Sequence, residues 1–194
     1  MGRPGRKENV LEAAVSLFSR KGYHSTTVRD IATESGMLSG SLYAHMESKE
    51  DLLVEIVNRS AGQFMEALRP IVDGPGAAGD KLRAAMTAHV QVVAGSLEAA
   101  TVFLHEWKAL SPERREVVGR WRREYESLWD RILAEGIASG EFAPVNVRMA
   151  RLLVLSSVNW LYEWYNPAGP LGPDAIAAEF AELCLNGLRK GEDR

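Results

Sequence analysis

Three groups of side chains could do chemistry in this chain, and the first is quickly emptied. His105 beside Glu106 pairs a base with an acid, or offers the start of a metal site. No second histidine lies three to five residues away, and the lone cysteine, Cys184, has no partner for zinc or for a disulfide. Serines, histidines and acids occur, but no nucleophile elbow or other positional signature joins them. No catalytic residue, metal ligand or cofactor is expected. The second group could grip nucleic acid. Ser39, Gly40 and Ser41 form a slim polar edge, and Tyr43 and His45 add groups that can reach phosphate or base edges. Thr27 and Lys49 stand where two helices begin, which is where donors and positive ends meet a phosphate backbone. The third group is aromatic: Trp121, Tyr125 and Trp129 at i, i+4 and i+8, then Trp160 and Trp164 four apart, with Asn159 alongside. Packing in a core or dimer interface is the plain reading of any one ring. Tryptophans with polar neighbours also suit a site for a large amphipathic ligand.

Positioning these groups falls to helices, since strand-like alternation is nearly absent. Val10, Leu11, Ala14, Leu17 and Phe18 share one face of a first helix that Gly22 closes. Thr27 opens a second, with Asp30 at capping-box spacing and Gly36 at its end. A short third helix covers about 39–45, with Leu42 and Met46 inward. Ser48 and Asp51 cap a fourth, which carries Leu52, Leu53, Ile56, Val57, Phe64 and Leu68 toward Pro70. After a loop at 73–79, Asp80 caps a helix that breaks near Gly95-Ser96, and another reaches about Leu110. Ser111-Pro112 restarts a long helix that Gly140 stops. The last two cover about 146–165 and 173–189, joined by a Pro/Gly-rich turn. The expected class is all-α with about nine helices. Residues 1–50 make a compact helical trio, and 51–194 a larger bundle that the fourth helix leads into.

The net charge of −3 argues against a general nucleic-acid binder. Its distribution does not, because residues 1–30 hold Arg3, Arg6, Lys7, Arg20, Lys21 and Arg29 against Glu8, Glu12 and Asp30, leaving the acid excess to the rest. A basic end on an acidic body suits a protein that meets phosphate with one end only. The polar N-terminus has no signal-peptide pattern, and charges interrupt every apolar stretch well short of the ~20 residues of a membrane span. A soluble, cytoplasmic protein is expected, and one cysteine agrees with a reducing compartment.

Two short helices about a glycine turn are a helix-turn-helix, and here the matching points are dense. They are Ala14, Phe18, Gly22, Thr26-Thr27, Ile31-Ala32, Gly36, Gly40, Leu42-Tyr43, His45 and Ser48-Lys49-Glu50. On these residues the segment 10–56 resembles the DNA-binding domain of the TetR family of repressors. The resemblance implies DNA contacts at Thr27, Arg29, Ser39, Ser41, Tyr43, His45 and Lys49, on a palindromic operator. Gly40 keeps the edge narrow, and Arg3, Arg6 and Lys7 would form an arm near the minor groove. Leu38-Ser39 replaces the family's frequent Ser-Lys pair, Met46 its usual Phe, and Glu47 adds an acid near the backbone.

Residues 156–171, SSVNWLYEWYNPAGPL, are similar to TetR repressors that answer acyl-CoA thioesters in fatty-acid, aromatic-acid or steroid breakdown. That likeness implies a ligand inside the bundle and a homodimer through the last two helices. The candidate ligand residues are Phe103, Trp107, Trp121, Tyr125, Trp129, Asn159, Trp160 and Trp164. Glu163 and Asn166 stand where related sequences often carry arginine. Arg114, Arg115, Arg120, Arg122, Arg123, Arg148 and Arg151 could meet CoA phosphates, or could simply be solvated. Rival readings stay open: a multidrug sensor using Glu106, Glu124 or Glu163, a helical-bundle enzyme or lipid carrier, and a ligand-blind DNA binder.

Overall fold

Ten α-helices and one 3-10 turn make up the described residues, which are 5–43 and 46–188 of the computed structural model. In order they are α1 (Arg6–Lys21), α2 (Val28–Glu34), α3 (Ser39–Leu42), α4 (Lys49–Asp73), α5 (Ala78–Gly95), α6 (Leu97–His105), the 3-10 turn Glu106–Ala109, α7 (Pro112–Ala138), α8 (Val147–Asn159), α9 (Leu161–Trp164) and α10 (Pro173–Leu188). The one-turn α9 continues α8 after Trp160, and counting the two together gives nine helices. No strand occurs among the described residues. No single helix among them is long and apolar enough to cross a membrane.

The chain divides into two compact units, Met1–Ala61 with Leu97–Arg120, and Gly62–Ser96 with Trp121–Arg194. In the first, Val10, Ala14, Phe18, Ile31, Leu42, Leu53 and Val57 are fully buried in one cluster, which Val102, Leu110 and Val118 complete from far along the sequence. Polar bonds fasten the same return segment. The Ser111 N–H donates to Glu50 Oε1 at 2.6 Å, Arg114 Nη2 donates to Asp51 Oδ1 at 2.6 Å, and Ser16 Oγ donates to Glu98 Oε1 at 3.1 Å. The Asp51 bond raises the Arg114 pKa above its usual value, so the pair stays charged.

In the second unit α5 and α10 pack together and both touch α8. Leu82, Met86, Val90, Trp129, Ile132, Leu133, Val154, Val158, Ala177 and Leu185 fill its interior. α7 stops at Gly140, whose φ of 77° suits a residue without Cβ, and the Phe142 N–H returns to Gly136 O at 2.9 Å. This folds the Phe142 ring over Gly136.

Three boundaries differ from the sequence expectation. α5 begins at Ala78, so Asp80 lies in its first turn and the N-cap is Ala77, which makes no side-chain cap bond. The Glu141 carboxylate serves instead, accepting from the Gly79 N–H at 3.1 Å. α4 continues past Pro70 to Asp73, because one proline near a C-terminus forfeits only one intrahelical bond. The expected helix at 146–165 breaks at Trp160.

Candidate DNA-binding and effector sites

Side-chain bonds tightly specify the loop that joins α1 to α2. Gly22 turns the chain with φ 81°, and Thr26 Oγ1 donates to Gly22 O at 2.9 Å. Glu106 Oε2 receives the Tyr23 N–H at 2.9 Å, and Lys49 Nζ donates to Tyr23 O and Thr26 O, both at 2.7 Å. The Lys49 ammonium also lies 4.1 Å from the centre of the Tyr23 ring. Burial lowers its pKa, and its charge is spent on closing this loop. Replacing Lys49 with methionine strands Thr26 O and leaves Tyr23 O with only the Thr26 N–H, at 3.2 Å, and the expected cost is about 1–3 kcal/mol of stability, read by urea unfolding.

α2 then starts on the capping box that its sequence spells. The Asp30 N–H donates to Thr27 Oγ1 at 3.1 Å, and the Thr27 N–H donates to Asp30 Oδ2 at 2.9 Å. The same device opens α4, where the Ser48 N–H donates to Asp51 Oδ2 at 2.7 Å and the Asp51 N–H donates to Ser48 Oγ at 3.3 Å. Between α2 and α3 the chain turns at Gly36 with φ 68°. Leu42 is the only fully buried side chain of α3. Its other residues, Ser39, Gly40 and Ser41, are exposed together with Leu38, Tyr43, Thr27 and Arg29. Leu38 is 80% exposed at the N-cap of α3, a position where periodicity alone would never place an apolar side chain. Arg6 and Lys7 are exposed on the first turn of α1. Arg3 and His45 lie outside the described residues.

The eight effector candidates do not form one group. Phe103 and Trp107 pack against the hydrophobic cluster of the first unit. Trp121, Trp160 and Trp164 are exposed, the last in edge contact with Phe180. Tyr125 and Trp129 come together in the second unit with two residues that sequence reasoning missed, Phe64 and His89. The His89 ring is 4.8 Å from that of Phe64, 6.0 Å from that of Tyr125 and 6.1 Å from that of Trp129. His89 Nδ1 and the Tyr125 hydroxyl share a hydrogen bond of 2.8 Å, and Asn159 faces the ring from α8. His89 was findable, because it follows Met86 and precedes Val93 on the inward stripe of α5, where a histidine is out of place.

Burial drives the His89 pKa down from 6.5 to about 3, opposed weakly by Asn159. Burial also raises the pKa of Tyr125, so both groups are neutral at pH 7. The unfolded chain takes up a proton on this histidine near pH 6.5, whereas the folded chain resists it until about pH 3. The stability that neutral His89 supports is therefore complete above about pH 6.5 and falls as pH drops through that window, by about 1.4 kcal/mol per unit. Urea unfolding between pH 7 and pH 5 is expected to show this slope, and His89→Phe to lose it.

Two of the charged candidates are committed to ion pairs. Arg151 pairs with Asp130 at 2.6 Å and Glu126 at 3.3 Å, and Arg114 with Asp51. Of the acids a cation sensor would use, Glu106 holds Tyr23 and Glu124 holds Arg69. An open groove of about 430 Å³ in the first unit carries Glu12, Glu34 and Glu98, a lining that repels an anionic effector. No group of three His, Cys, Asp or Glu among the described residues could hold a metal ion.

A glycine-turned helix pair with an exposed, slender second helix, in an otherwise helical chain, defines a helix-turn-helix transcription regulator. Comparison with known proteins identifies the lineage. Residues 10–56 match the model described as bacterial regulatory proteins, tetR family, and residues 75–188 match the tetracyclin repressor-like C-terminal domain. The chain belongs to the TetR family. It is 31% identical to the HTH-type transcriptional repressor KstR2 of Rhodococcus jostii, over 96% of this chain and 93% of that protein. The structure of the ketosteroid transcriptional regulator KstR2 of Mycobacterium tuberculosis superposes with a TM-score of 0.91 at 27% identity, covering 98% of each chain. AibR, in complex with isovaleryl coenzyme A and operator DNA, superposes with a TM-score of 0.84 at 27% identity, covering 92% of this chain and 97% of AibR. The chain is a DNA-binding transcription regulator and not an enzyme.

Proposed function

We propose that the protein is a homodimeric repressor released from a palindromic operator by an acyl-CoA thioester, and so acts in the cytoplasm. The observation that carries the effector half is the aromatic cluster around a buried, neutral His89 in the second unit. The AibR neighbour, whose structure holds isovaleryl coenzyme A and operator DNA, supports the class of ligand. On the DNA side, Thr27, Arg29, Ser39, Gly40, Ser41, Tyr43 and His45 form the contact set, with Arg6 on the N-terminal arm, while Lys49 supports it from behind by holding the loop before α2. Ser39 and Ser41 would reach base edges. Leu38, exposed at the start of the recognition helix, would lie against a thymine methyl group.

The dimer would form through α8 and α10. α8 buries Ala150, Val154 and Val158 on one side and exposes Met149, Leu152 and Leu153 on the other, while Leu183 of α10 is 69% exposed. A helix apolar on both faces needs a second partner. Two recognition helices must then sit roughly 34 Å apart to meet successive major grooves, and a filled bundle would change that spacing. Nearly complete switching requires about 5.5 kcal/mol of differential affinity, which a large buried ligand can supply.

Thermal unfolding against acyl-CoAs of graded size tests this reading, with free acids, CoA and cationic dyes as controls. A ligand at 100 times its dissociation constant adds about 2.7 kcal/mol, an obvious shift in midpoint. A shift with a thioester and none with its free acid is the expected result. A shift with cationic dyes alone would replace the reading with that of a drug sensor.

A further inference from the structure

The loop that leads into α2 takes one of its anchors from outside the helix-turn-helix segment 10–56. Gly22 leaves the helical conformation with φ 81°, and its own N–H closes α1 on Phe18 O at 3.0 Å. The next N–H, that of Tyr23, therefore has no carbonyl of α1 to meet. Glu106 Oε2 receives it at 2.9 Å, from the 3-10 turn Glu106–Ala109. Glu106 Oε1 lies 3.9 Å from where a Cβ on Gly22 would stand, so the carboxylate covers the turn itself.

The segment that carries Glu106 is in turn fixed to the start of α4. The Ser111 N–H donates to Glu50 Oε1 at 2.6 Å, Arg114 Nη2 donates to Asp51 Oδ1 at 2.6 Å, and Arg114 Nη1 stands 3.7 Å from Glu50 Oε2. Leu110, 2% exposed, anchors the same segment in the hydrophobic cluster that holds Tyr23. Burial and then the Glu50 carboxylate raise the Tyr23 pKa, so its phenol stays neutral among these charges. Tyr23 is gripped at both polar groups of its backbone, at the oxygen by Lys49 and at the N–H by Glu106. Thr26 donates its N–H to Tyr23 O at 3.2 Å, and the exposed Thr27 then caps α2, against which α3 packs.

We infer that Glu106 is a positioning residue for operator recognition: its carboxylate holds the loop before α2 in the arrangement that presents Thr27 and the recognition helix to DNA. It acts through Tyr23 and not by meeting DNA itself. A bond from a carboxylate to a backbone N–H is of the stronger kind. Observed affinity scales with the fraction of molecules whose reading surface is correctly set. Losing that placement weakens the operator and spares non-specific binding, because phosphate attraction depends on charge and base readout on position.

Fluorescence anisotropy on the full-length protein tests this, with a duplex selected from random-sequence DNA and a shuffled duplex of the same length. Glu106→Ala is expected to weaken binding of the selected duplex about tenfold, equivalent to about 1.4 kcal/mol. Its affinity for the shuffled duplex is expected to stay within about threefold of wild type. Glu106→Gln, whose amide oxygen still accepts the Tyr23 N–H, is expected to bind the selected duplex within about threefold of wild type. Glu106→Asp keeps the charge but falls one methylene short, and is expected to weaken binding as alanine does. Wild-type affinity in the alanine and aspartate variants would overturn the inference. So would equal losses on both duplexes, which mark a general defect, or a glutamine variant as weak as alanine. If the alanine variant does not fold, the aspartate and glutamine variants decide the matter between them. Hydrogen exchange of the Tyr23 amide needs no variant: protection is expected in the wild type, and exchange at the rate of an open loop would contradict the Glu106 bond.

Discussion

Arginine at Leu153 and Leu183 together is expected to leave a folded monomer whose operator affinity falls about a hundredfold or more. Joining two half-site readers makes the second contact intramolecular, and avidity of that kind is typically worth 10²–10⁴. Both leucines are more than three-fifths exposed, at 63% and 69%, so the substitutions remove no buried contact within the chain. Their charge would meet its own copy across a two-fold axis, where an isologous interface doubles every change. Sedimentation velocity gives the oligomeric state and fluorescence anisotropy the affinity. A dimer that persists with both arginines would move the interface elsewhere. A monomer that still binds the full palindrome at wild-type strength would separate DNA binding from dimerisation.

The second large effect is one of stability. Gly136→Ala places a Cβ 2.8 Å from Phe142 Cγ, with two further ring carbons closer still. The ring is almost fully buried and its backbone N–H is tied to Gly136 O, so it has nowhere to go. Overpacking of this kind costs typically 1–3 kcal/mol. In a protein of this size each kcal/mol is worth about 2–4 °C of melting temperature. Pairing Gly136→Ala with Phe142→Leu is expected to recover part of the loss, since the smaller side chain yields the space. A melting point unchanged by Gly136→Ala would mean that the chain after Gly140 does not fold back over α7.

What the sequence made legible follows from how local each signal is. The Thr27–Asp30 and Ser48–Asp51 caps involve residues three apart, and both form as their spacing requires. Gly22, Gly36 and Gly140 each adopt a positive φ where the chain had to turn. Harder to read were features that depend on distant segments. The core of the DNA-binding trio is finished by Val102, Leu110 and Val118, and no periodicity within residues 10–56 points to them. Lys49 looks like a phosphate ligand by position, yet Tyr23 and Thr26 draw its ammonium inward. Asp80 resembles a cap until Glu141, some sixty residues later, takes the role. The aromatic candidates shared a spacing and not a place. Helical period put Trp121, Tyr125 and Trp129 along one stripe of α7, and burial then separated the exposed Trp121 from the buried Trp129. His89 escaped notice although its place on the inward stripe of α5, between Met86 and Val93, was there to be read.

The most direct test of ligand-controlled repression joins DNA and effector in one titration. A duplex selected from random-sequence DNA by the wild-type protein would be labelled and bound, and the thioester that most raises the melting temperature would be added. The account predicts release of the duplex over the same thioester concentrations that stabilise the protein, with the free acid inert. DNA that stays bound while calorimetry shows the protein saturated with thioester would contradict it.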